Sequence, residues 1–171
     1  MWNDVLIQAL IAGGLISLWM TIVIVLSLWW NPEIWVHDYP PEIRAALPPK
    51  SDKATRQTLW VSIPAFSVLL GLLAWLVVQL YAIAGGFPGY WEVALAVWIA
   101  MQTFNVFDLL ALDWLMIETW RPRFVFMPGT EPFADRRFYG FHFRGFLKGS
   151  VGITLVSLVM AAVLWGVDWV L

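Results

Sequence analysis

QTFNVFDLLALDWLMIE, residues 102–118, puts two amides and three carboxylates into a run that is otherwise apolar enough to cross a bilayer. Ionisable groups at membrane depth are expensive and mark functional or packing sites. With a helix entering near Trp91 and rising about 1.5 Å per residue, Gln102 lies about 16 Å in, Asn105 about 21 Å, Asp108 about 26 Å and Asp113 about 33 Å, against a hydrocarbon thickness of about 30 Å. At about 100° per residue these four share an arc of roughly 140°, and Glu118 is expected to point the other way. The shared arc predicts a polar face turned toward other helices.

The rest of the chain supplies those helices. Of 171 residues 61 % are hydrophobic and 13 % charged, and the mean hydropathy is +0.75. That is too little polar surface to coat a soluble domain. Four apolar runs exceed the length needed to span: about 5–30, 59–84, 91–117 and 147–171. Alternating ten-residue strands are missing, so the spans are read as helices. The predicted fold is an all-α integral membrane protein, a single domain over 1–171 with four transmembrane helices in an antiparallel bundle. Short interfacial helical pieces are expected in two long loops, about 31–58 and 118–146. The first run has no basic segment before it and is too long for a signal-peptide core, so it is read as a retained span.

Charge sets the orientation. All ten basic residues fall in or beside the two long loops: Arg44, Lys50, Lys53 and Arg56 after the first span, then Arg121, Arg123, Arg136, Arg137, Arg144 and Lys148 between the third and fourth. The positive-inside rule places both loops in the cytoplasm and both termini outside, in what reads as a bacterial cytoplasmic membrane. Trp2, Trp29, Trp30, Trp35, Trp60, Trp91, Trp120, Trp165 and Trp169 fall where an aromatic belt belongs.

Several chemistries are excluded. There is no cysteine, which removes disulfides, thiolate metal sites and cysteine nucleophiles. A net charge of −2 offers no basic face for nucleic acid; the aromatic and basic interleaving from Arg136 to Lys148 suits lipid headgroups instead. Phosphate loops, nucleophile elbows and HExxH pairs are not found. No pattern names a cofactor.

Other residues are assigned to packing. Ala9, Gly13 and Ser17 on the first span, and Ser67 with Gly71 on the second, form small-xxx-small ridges. Pro64 is placed in the first turns of the second span, and Ser51 to Gln57 is read as solvated chain leading into it. Asp168 reads as an interface or tail charge.

The candidate polar face is Gln102, Asn105, Asp108, Asp113, Arg144 and Lys148, with Asp108 compensated by Asn105 and by Arg144 or Lys148. The candidate catalytic residues are His37, Asp108, Asp113 and His142, with Asp38 beside them. His37, Asp113 and His142 are expected at one level, the cytoplasmic end of the third helix, where mixed nitrogen and oxygen ligands would suit zinc, iron or manganese. The competing expectation has Asp113 paired with Arg121 or Arg123 and each histidine packed among aromatics.

Three functions follow. The first is an accessory subunit or assembly factor of a larger membrane complex or homo-oligomer, or a protein binding lipid, including anionic headgroups, through its cytoplasmic loops. The second is a metal-dependent or lipid-modifying enzyme at the cytoplasmic boundary. The third is an oligomeric transporter or channel lined by Gln102, Asn105 and Asp108.

Overall fold

The computed structural model describes residues 1–168; readings placed on Trp169, on the end of the fourth run and on the side chain of Asp168 lie outside the described residues. The chain is all-helical, and among the described residues four helices are long and apolar enough to cross a membrane. They are α1 (Trp2–Trp30), α3 (Asp52–Ala84), the continuous pair of α4 (Tyr90–Phe107) and a π-helical segment (Asp108–Trp120), and α5 (Tyr139–Asp168). A 3₁₀ helix (Pro32–Asp38) and α2 (Pro41–Ala46) fill the first long loop. Two 3₁₀ turns, Arg123–Val125 and Glu131–Phe133, fill the second.

The helices extend beyond the apolar runs because caps and side-chain bonds carry them into polar sequence. Ser51, expected in solvated chain, accepts the Ala54 N–H and caps α3 at its N-terminus. Glu33 then accepts from the Ser51 backbone and hydroxyl, and Lys50 donates to the Ile34 carbonyl and to Thr58. Asn31 donates to Gln57 at 2.7 Å. The first loop is thereby fastened to α3. With α3 starting at Asp52, Pro64 falls in its interior instead of its first turns.

Small residues set the packing. α1 contacts both α3 and α4, and α4 carries α5. Ala9, Ala12 and Gly13 face Ala96 and Ala100, all in one buried core with Ile16, Leu76 and Val97. A Cβ at Gly13 would lie 2.7 Å from Thr103 Cβ and 2.8 Å from the Ala100 carbonyl oxygen, so the ridge on α1 is used within the chain. A Cβ at Gly71 on α3 would meet nothing within 4 Å. A second, smaller core of Leu28, Leu112 and Met116 closes the other end of the α1 and α4 pair, where both long loops gather.

Candidate functional site

The α-helix changes to a π-helix at Asp108, and that change builds the site. In a π-helix the N–H of residue i reaches the carbonyl of i−5, so residues five apart come nearly over one another. The segment ends that way, with Arg121 N–H bonded to the Met116 carbonyl at 2.8 Å and Arg121 itself at φ 56°. The Thr119 hydroxyl likewise reaches back five residues to the Trp114 carbonyl. Asp108, Asp113 and Glu118 are spaced by five, and all three line one cavity. The expectation that Glu118 points away is corrected: it assumed 100° per residue, and the wider turn brings Glu118 inward until it is only 4 % exposed.

His142, near the start of α5, stands between two of these carboxylates. Its Nδ1 lies 3.0 Å from Asp113 Oδ1 and its Nε2 3.1 Å from Glu118 Oε1. Glu118 also accepts the Phe138 N–H at 2.8 Å. Ionised carboxylates only accept, so either an imidazolium donates from both nitrogens or a neutral ring donates one proton and a carboxyl the other. Among the described residues no group of three or more His, Asp or Glu side chains could hold a metal ion.

The cavity measures about 350 Å³. Ile24 and Leu28 of α1, with Leu109 and Leu112 of the π segment, form an apolar wall. Polar groups come from His37, Asp38 and Tyr39 of the first loop, from Arg121 and Thr130 of the second, and from Asp108, Asp113 and Glu118 of the π segment itself. The loops are joined beside the cavity by the Tyr39 hydroxyl, which donates to the Val125 carbonyl at 2.5 Å. Burial pushes the Tyr39 phenol above its ordinary range. Asp38 opens onto the cavity, yet crowding by protein raises its carboxyl above the usual range; Asp113 adds repulsion, while His37, Lys50 and Arg44 partly offset both.

Of the residues singled out in the sequence, His37, Asp108, Asp113 and His142 all line this cavity, but His37 makes no hydrogen bond or ion pair with the other three. Asp113 pairs with His142, not with Arg121 or Arg123. Gln102 and Asn105 serve the seam between α4 and α5. Both donate to the Ser150 hydroxyl, and Asn105 also reaches the Phe146 carbonyl. The proposed compensation of Asp108 by Arg144 or Lys148 is not found. Those residues lie about 200° and 240° around α5 from His142 and are exposed on its far side. Among the described residues neither Asp38 nor Asp108 forms an ion pair. Glu118 and Tyr39 were missed as site residues. The signal for Glu118 was the D-x4-D-x4-E spacing.

Comparison with known protein families, with curated proteins and with solved structures finds no match. The fold and the cavity therefore define a class, a small polytopic membrane protein with a buried histidine–carboxylate cluster, and the function is argued from the geometry.

Proposed function

We propose that this protein binds an amphiphilic molecule of the bilayer in the cavity between its two long loops, acting as a lipid-binding accessory protein of the cytoplasmic membrane. The carrying observation is the cavity's mixed lining, in which aliphatic side chains of α1 and the π segment share one space with ionisable residues of the π segment and the two loops. Such a void suits a molecule with a tail and a polar head better than a fully polar metabolite. In this reading the four spans form an antiparallel bundle, the short loop helices lie at the interface, and the basic loops place the cavity at the cytoplasmic boundary. The outward faces of α3 and α5, with Trp60, Ile63, Leu70, Val151 and Val159 exposed, contact lipid.

Gly145 provides the test. It lines the cavity, and a Cβ there would meet nothing within 4 Å, so Gly145→Phe introduces a ring at the lining from a position with room for its first carbon. Native mass spectrometry of protein purified in maltoside micelles should show a retained amphiphile on the wild type and its loss from Gly145→Phe. A wild type free of any amphiphile, or a variant that keeps it, would refute the reading.

A further inference from the structure

We infer that the ligand's head carries a positively charged nitrogen, so that the cavity takes an ammonium-headed amphiphile. This rests on the amphiphile reading above and adds the chemistry of the head.

Two independent features of the lining point to a cation. The first is unbalanced charge. Asp38, Asp108, Asp113 and Glu118 all face the cavity, whereas the basic groups lining it are His142, already held between Asp113 and Glu118, Arg121 and His37. Asp38 and Asp108 come from different elements, the first-loop 3₁₀ helix and the π segment, and neither has an ion-pair partner among the described residues. An uncompensated carboxylate at a membrane boundary must find a counter-ion, a proton or water. The second feature is the aromatic wall. Trp35, Tyr39, Phe126 and Phe146 line the same space, and ring faces attract cations through their quadrupole. The structure contains this attraction on three rings that line the cavity, with the Arg121 guanidinium 4.8 Å from the Phe126 centroid and that of Arg136 5.9 Å and 5.8 Å from those of Phe133 and Phe138. Aromatic rings are the kind of surround that holds quaternary ammonium groups. An anionic head would meet Asp38 and Asp108, neither of which has an ion-pair partner among the described residues.

The test uses three probes with one twelve-carbon tail, dodecyltrimethylammonium, dodecanol and dodecanoate, and tetramethylammonium as a head without a tail. Each is titrated below its micellar concentration onto the full chain in maltoside micelles, with binding read by native mass spectrometry and by thermal shift. Dodecyltrimethylammonium should bind at least tenfold more tightly than dodecanol, about 1.4 kcal/mol, and dodecanoate should bind worst. The double variant Asp38→Asn, Asp108→Asn removes two carboxylates with no ion-pair partners, so it should stay folded and bring the ammonium and alcohol probes to equal affinity. Gly145→Phe should weaken all three tailed probes. Equal binding of the three by the wild type would overturn the charge assignment while leaving the amphiphile reading standing. Tetramethylammonium binding as tightly as the tailed cation would overturn the amphiphile part. No binding of any tailed probe would sink both.

Discussion

Replacing His142 with alanine removes the one group that bridges two carboxylates across the α5 and π-segment junction. Two hydrogen bonds to charged partners are lost, each worth about 1.5–3 kcal/mol, and breaking a buried pair by deleting one member costs about 3–5 kcal/mol. The lower end applies here. Glu118 keeps its bond from the Phe138 N–H, and Asp113, at 21 % side-chain exposure, can recover water from the cavity. A loss near 3 kcal/mol corresponds to a fall in melting temperature of about 6–12 °C for a chain of this size. The assay is thermal unfolding in maltoside micelles, followed by circular dichroism. A control separates lost attraction from orphaned charge: with Asp113→Asn and Glu118→Gln also in place, His142→Phe should restore much of the loss, because an apolar or neutral replacement of a whole buried ionic cluster is often near neutral. His142→Ala melting within about 2 °C of the wild type, less than 1 kcal/mol at this size, would refute the view that the triad holds the junction.

Adjacent glycines on α1 should behave in opposite ways. Gly13→Ala drives a methyl against Thr103 and the Ala100 carbonyl and should cost about 1–3 kcal/mol, whereas Gly14→Ala meets nothing and should be neutral or stabilising, by up to about 1 kcal/mol of helix propensity; paired melts check both. For Asp38 the folded state holds its proton more tightly than the unfolded chain, so stability should fall as pH rises from the ordinary aspartate value of about 4 through the raised one. Asp38→Asn removes that fall, and its melting temperature should gain on the wild type between about pH 4 and pH 7; a constant difference across that range would contradict the assignment. Topology is tested by single cysteines at the exposed positions Lys53, Asp135 and Gly86. An impermeant thiol reagent on intact cells should label only Gly86→Cys, and the opposite pattern would move the cavity to the outer face.

The four long helices were legible because hydrophobic run length is a direct response to bilayer thickness, and the gathering of the two loops was legible through their shared charge. The helix ends were harder to read. Ser51 and the bonds around Glu33 and Lys50 extend α3 into polar sequence that hydropathy assigns to a loop. Asn105 was expected beside Asp108 but serves Ser150, because a cross-helix partner depends on which face of α5 turns inward and the apolar run does not report that. Arg144 and Lys148 were misplaced for the same reason. Glu118 was misread through a single assumption about helix pitch, and nothing in local composition distinguishes a π turn from an α turn in residues 108–120.

That pitch also sets how the chain tolerates changes in length. In an ordinary helix, deleting one residue swings everything beyond it by about 100°. Within the π segment, deleting Ala111 would bring Asp108 and Asp113 to four apart, a spacing an α-helix also keeps on one face, while Glu118 would stay five beyond Asp113. If the segment then relaxed to α geometry, Asp113 could still face His142 but Glu118 could not. The single extra residue in each wide turn thus works as a joint: the deletion leaves the spacing of Asp113 and Glu118 intact, and a return of the segment to α pitch is what would separate the two halves of the histidine's grip.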